Sequence, residues 1–353
     1  MRKRKIMALL ASALTLVSLG GCELGKNTTT IASYGDGQTV PAGVYLYYQI
    51  TAYESGLYQV SDPREDPMKQ SIDGVSFGDW VAQKAQEAVK RQIAAEAEFQ
   101  RLGLSLTEEE TDAALSGVNS AWESNGSVYE KNGIAKSSIE LVALASAKYS
   151  KLFYAYYGEG GEKEVSEDEL LDYYQTNYKR VAQIIFPKTN SDGSALDEAG
   201  LEQLSERVER YMELAKSGEP FHQLIQMKDE EDAAASGEEP VSHEGHEDDE
   251  NYHDIIVSRD SSGYYPQAFL DAVFASDELN VPTVYESSGY MAVFIRKDLM
   301  ANPDDFANGK ETLLSNLKSA EFETELLGVA DQNGLVWNDA AVKRYQPKNL
   351  KFR

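Results

Sequence analysis

One cysteine, Cys22, stands among 353 residues. No intramolecular disulfide is therefore available, and packing alone must hold the fold together. Basic residues are also scarce, with 33 Lys and Arg against 59 Asp and Glu and a formal charge of −26. A surface of that sign repels nucleic acid and anionic lipid, so no nucleic-acid partner is expected. Neither a Walker A nor a Rossmann glycine pattern occurs. The four histidines, His222, His243, His246 and His253, fall in no CxxC or HExxH spacing. Nucleotide cofactors and a fixed metal centre are thereby set aside, a hydrolytic triad is not supported, and no cofactor is expected. After residue 17 no apolar run is long enough to cross a bilayer, which takes about 20 residues.

What is present begins at the amino terminus. Arg2, Lys3, Arg4 and Lys5 precede a short apolar run from Ile6 to Val17, and Leu19-Gly20-Gly21-Cys22 follows. That arrangement resembles a bacterial lipoprotein signal over residues 1–21, with Cys22 as the site of lipidation. A diacylglyceryl group supplies two acyl chains, where a single chain binds a membrane only marginally. Loss of the four basic residues takes the formal charge from −26 to −30. Residues 22–30 read as a polar tether, and the body is expected outside the cytoplasm, held at the outer face of the cytoplasmic membrane.

The organisation changes once along the chain. IASYGDGQTV, Ile31 to Val40, predicts a hairpin turning at Gly35-Asp36-Gly37, followed by a helix from Pro41. Val81, Ala85, Val89 and Ile93 step by four within a helix from Phe77 to Leu102, and Gly103 stops it. Thr107, Ser137 and Ser166, each with Glu three residues on, predict three further helix starts. From Val181 the texture alternates: strand VAQIIF, two helices, strand Ile255–Val257, a helix after Pro266, then strands Val281–Tyr285 and Met291–Ile295. Asp229 to Asn251 is acidic and of low complexity, which predicts a solvated loop. A long helix from about Pro303 to Gly328 and a strand-like tail at Leu335–Trp337 close the chain. The fold class is α+β. A helical domain over 31–177 is completed by 300–353, and an α/β domain over 178–299, carrying the insertion 229–251, lies between them.

Four segments carry a family resemblance: GDGQTVPAGVYLYY, QEAVKRQIAAEAEFQRLGLSLTEEE, EVSEDELLDYYQTNYKRVAQIIF and AFLDAVFASDELNVPTVYESSGYMAVFIRK. In this order behind a lipobox they resemble the PrsA-type foldase lipoproteins and their SurA-type periplasmic relatives. The resemblance implies a chaperone domain with an inserted parvulin domain. It also implies exported, unfolded or partly folded polypeptides as partners, a lipid anchor on Cys22, and a possible homodimer. Parvulins rotate X-Pro bonds, whose barrier is about 18–20 kcal/mol. The twisted amide is less polar than the planar one, so an apolar cup that excludes water favours it.

The resemblance places Gln183 and Met291 at the positions of the family's two histidines. Tyr265 and Phe269 fall on the apolar side of the cup, Phe269 as the ring that stacks on proline. Asp229 or Glu230 stands where the family has an acid. Gln183 still donates and accepts hydrogen bonds, whereas Met291 replaces a polar partner with a thioether. Loss of both histidines points to a surface that holds chains with weak isomerase activity or none. Two alternatives stand beside it: an active prolyl isomerase using Gln183, Tyr265 and Phe269, and a metal- or solute-binding lipoprotein using the His243–Asp249 loop with His253. The 21 tyrosines, crowded at Tyr45, Tyr47, Tyr48, Tyr149 and Tyr154, suit either a shallow groove for unfolded chains or internal packing. The foldase reading depends on an open, oily hollow over Phe269.

Overall fold

The structure, a computed structural model, describes residues 29–242, 250–275 and 277–352. In chain order its elements are β1 (Thr30–Tyr34), β2 (Gln38–Pro41), α1 (Ala42–Gly56), β3 (Ser71–Ile72), β4 (Val75–Ser76), α2 (Phe77–Arg101), α3 (Glu108–Lys131) and α4 (Lys136–Tyr157). There follow α5 (Glu167–Asn177), β5 (Tyr178–Pro187), α6 (Glu198–Lys216), α7 (Phe221–Ser236), β6 (Ile255–Ser258) and α8 (Gln267–Phe274). The last are β7 (Thr283–Glu286), β8 (Tyr290–Lys297), α9 (Pro303–Gln332), β9 (Val336–Trp337) and α10 (Asp339–Arg344). The fold is α+β. Among the described residues no helix is long and apolar enough to cross a membrane.

The chain divides into two compact units, residues up to Phe153 with Phe322–Arg353, and Tyr154–Glu321. The division falls within α4 and α9, whereas the sequence suggested 178 and 299. In the first unit the hairpin β1–β2 pairs antiparallel, and β9 joins β1 through Ala32↔Trp337 and Ser33↔Val336. Gly35 and Gly37 adopt positive φ at the turn, which glycine reaches without a Cβ clash. Helix α2 buries Val81, Ala85, Val89 and Ile93 on one face, as the four-residue spacing requires. Ser76 caps it by accepting from the Asp79 amide. At α3, Thr107 and Glu110 form a reciprocal capping box, and Ser166 caps α5. Helix α4 opens at Lys136, so Ser137 lies inside the helix and not at its cap.

The second unit is built on an antiparallel sheet of order β6-β5-β8-β7. Alternation along β5 sends Ala182, Ile184 and Phe186 to one face, where Val208 and Tyr211 of α6 and Leu224 and Ile225 of α7 cover them. Val181 goes to the other face with Phe294 and Tyr285, beneath Phe269, Leu270 and Val273 of α8. Helix α7 runs on through Asp229 to Ser236, where the acidic composition suggested loop. Arg207 meets Asp232 at 2.8 Å, Arg210 meets Glu231 at 2.7 Å, and Lys228 meets Asp232 at 2.5 Å. These pairs neutralise the acids along α7 and let the helix persist. Gly237, at φ 75°, then ends it in the left-handed conformation.

Candidate functional site

In an antiparallel ladder, directly opposed residues share a face and successive residues alternate. Gln183 lies opposite Phe294, and Met291 lies opposite Phe186. Three residues separate the two positions on each strand, so Gln183 and Met291 occupy opposite faces. Gln183 is on the α8 side, while Met291 packs into the α6–α7 core. The register does not bring the two positions at which the family carries histidine to one site. Asp229 and Glu230 belong to α7, the element that covers the face Gln183 does not use. Cys22, His243 and His246 lie outside the described residues.

The α8 face does gather the aromatic residues. Phe269 meets Tyr265 at 5.8 Å, Tyr285 at 5.3 Å and Phe294 at 5.5 Å between ring centroids. Tyr285 in turn meets Tyr290 at 5.7 Å. The phenol of Tyr290 is pushed above its ordinary pKa by burial and then by the neighbouring Tyr285 and Tyr265. Phe269 itself is 0 % exposed. The oily hollow expected over Phe269 is thus filled by the protein's own rings. Tyr265 lies directly against Phe269 as a lid on the ring and not as one wall of an opening.

A recess of a different kind lies in the first unit. Tyr48 of α1, Ala88, Arg91, Gln92 and Ala95 of α2, and Val142, Ala145, Ser146 and Tyr149 of α4 line a groove of about 280 Å³. Ala88 and Ala95 fall seven residues apart on α2 and are buried, as is Ala145. These small side chains make the floor, and the Tyr48 and Tyr149 rings make the walls. The rim is polar and fixed. Tyr48 Oη donates to Gln92 Oε1 at 3.1 Å, Tyr149 Oη donates to Glu323 Oε2 at 3.4 Å, and Arg91 pairs with Glu323 at 3.1 Å. Burial holds both phenols above their ordinary pKa, so they stay neutral donors at physiological pH. A shallow slot with an apolar floor and amphipathic rings suits one bulky side chain of an extended polypeptide. The sequence showed the tyrosines but not the floor, which needs α2 and α4 placed side by side.

The second unit also holds a buried charge cluster. Arg180 pairs with Asp254 at 3.5 Å and closely with Asp305, and Lys297 reaches Asp254 at 3.1 Å. The Asp254 side chain is only 1 % exposed. Burial pushes its carboxyl pKa up, against the pull of Lys297 and Arg180. Its members come from β5, the segment before β6, the end of β8 and the start of α9, so the cluster ties the sheet to that helix. Among the described residues no group of three or more His, Cys, Asp or Glu is placed to hold a metal ion.

No family model matches the chain. No curated protein matches it. The chain is similar to solved PrsA foldases. With foldase protein PrsA from Streptococcus pneumoniae str. Canada MDR_19A the identity is 15 %, covering 80 % of this chain and 98 % of that one, at a TM-score of 0.36. With PrsA from Lactococcus lactis it is 12 %, covering 90 % and 100 %, at a TM-score of 0.33. With PrsA from Bacillus subtilis it is 14 %, covering 78 % and 87 %, at a TM-score of 0.24.

Proposed function

We propose that this chain is a lipid-anchored, extracytoplasmic foldase of the holding kind, which binds exported polypeptides while they fold. The hollow over Phe269, on which the sequence reading rested, is closed, so the proposal rests instead on the groove between α1, α2 and α4. Its alanine floor and tyrosine walls accept apolar side chains without demanding one sequence, which is what a client-tolerant site needs. The lipobox at Leu19–Cys22 supports the location and the anchor. Net negative charge favours basic unfolded segments and discourages self-association. The second unit then serves as a binding or spacing module. Prolyl isomerisation is weak or absent, because the water-excluding hollow is filled and Gln183 and Met291 do not converge.

Two measurements on the same samples test this reading. Added to chemically denatured citrate synthase on dilution, the protein is expected to suppress light scattering at stoichiometric ratios. Ser146 is exposed on α4 at the groove, so Ser146→Trp fills the slot with little cost to folding. That variant is expected to lose suppression at least fivefold. The proline-limited phase of ribonuclease T1 refolding, tens of seconds uncatalysed, should keep its rate in the presence of wild type. Acceleration of that phase would restore the isomerase reading. Wild-type protein that leaves scattering unchanged would remove the holding reading.

A further inference from the structure

Among the described residues the sheet order leaves β7 paired on one side only. The Ser287 amide donates to the Tyr290 carbonyl at 2.9 Å, which makes those residues a hydrogen-bonded pair of the antiparallel ladder. Following the register Thr283↔Phe294 to Glu286↔Met291, Thr283 and Tyr285 direct their backbone groups inward to β8. Val284 and Glu286 direct theirs outward. Pro282, just before the strand, has no N–H to offer. The free ladder therefore starts at Val284.

Edges of this kind are usually blunted by shortness, proline, lysine, inward charge or a covering element; here Pro282 blunts only the start of the strand. Between Val281 and Glu286 there is no lysine, and Val281 and Val284 are 46 % and 41 % exposed. A recess of about 340 Å³ lies just before the strand, where Asn280 and Pro282 meet Phe221 and Ile295. Ile295 belongs to the α6–α7 face, so an added strand would point alternate side chains toward this recess. Glu219, Glu250 and Lys297 line it as well, while Glu286 at the strand end is already paired with Lys188. The nearby lysines are already engaged, Lys188 with Glu286 at 2.6 Å and Lys297 with Asp254 at 3.1 Å. Backbone ladder, side-chain recess and acidic surround coincide.

We propose that β7 takes an extended, apolar and basic segment of an unfolded polypeptide as an additional strand, a reading that rests on the holding function above. Main-chain hydrogen bonds to Val284 and Glu286 give affinity, the recess receives a bulky side chain, and the acids select basic neighbours. The probe is a fluorescein-labelled peptide of alternating valine and lysine, titrated with the full chain and read by anisotropy. Val284→Pro deletes an outward amide that β8 does not use, so the β7–β8 pairing should survive. It is expected to weaken binding at least tenfold, whereas Val284→Thr, which keeps the amide, should weaken it less than threefold. The same peptide N-methylated along one edge should lose tenfold against wild type, and that arm decides the matter if the proline variant does not fold.

Equal affinity of the proline variant and of the methylated peptide would overturn the proposal. So would light scattering showing that the β7 edge is occupied by a second copy of the chain. If Val284→Pro keeps full suppression of aggregation and peptide binding, the groove alone holds clients and the edge assignment falls. Absence of suppression by wild type strikes the holding function itself, separately from peptide binding.

Discussion

Phe269→Ala is expected to destabilise the second unit by about 3–5 kcal/mol, the cost of removing a fully packed aromatic ring. The ring sits under Tyr265, between Tyr285 and Phe294, with no exposed surface. Its removal leaves a cavity that three neighbouring rings, held by the segment before α8, by β7 and by β8, only partly close. For a unit of this size, about 2–4 °C of melting temperature accompanies each kcal/mol. The corresponding transition, followed by calorimetry, should therefore fall by roughly 6–20 °C. Phe269→Leu, which refills much of the volume, should recover most of that loss. A ring that stacked on substrate at an open surface would behave in the opposite way, with a small change in melting and a large change in activity. A shift under about 3 °C would show that the ring is not the core element described here.

Arg180→Ala should have an effect of similar size for an electrostatic reason. Removing one partner of a buried ion pair costs about 3–5 kcal/mol, because the other charge stays buried without compensation. Here the guanidinium serves both Asp254 and Asp305, and Lys297 alone then remains for Asp254. Arg180→Lys should recover only part, since an ammonium lacks the planar fork that spans two carboxylates. The pH dependence has a definite sign. Asp254 binds its proton more tightly folded than unfolded, its pKa being raised by burial. Its contribution to stability therefore grows as pH falls from neutrality through that raised pKa, and is lost as pH rises through it. Loss of Arg180 lifts the carboxyl further. The gap in melting temperature between variant and wild type should accordingly narrow on mild acidification. A gap that stays constant, or widens, would mean that Asp254 is not the charge left exposed to the deficit.

Local chemistry was legible in the sequence. The four-residue apolar steps of α2, the capping residues Thr107 and Ser166, and the run from Val181 to Phe186 each specify an element through neighbours within a few positions. What escaped depends on partners far along the chain. Helix α7 continues through acids because Arg207 and Arg210 of α6 lie beside them, and no local window records that. The separation of Gln183 from Met291 is a matter of register, where one residue of slip moves a side chain to the other face. Motif spacing in two separate strands carries no register. The groove floor was hidden for the same reason: Ala88, Ala95 and Ala145 are unremarkable until two helices are laid together.

The strand β9 has a bearing on how the protein reaches its shape. The Asn338 amide donates to the Ile31 carbonyl, Gly35 donates to Asn333, and the buried Gln49 donates to the Tyr345 carbonyl at 2.7 Å. Asn132 likewise exchanges hydrogen bonds with Lys351. The hairpin β1–β2 is thus finished by residues about 300 positions further along the chain. A chain emerging from its amino terminus carries that hairpin incomplete until β9 has emerged as well. The central segment, whose sheet among the described residues is built from β5 to β8 alone, is free to set first. Synthesis and maturation are in this way coupled by topology, and the first unit can close only after β9 has followed.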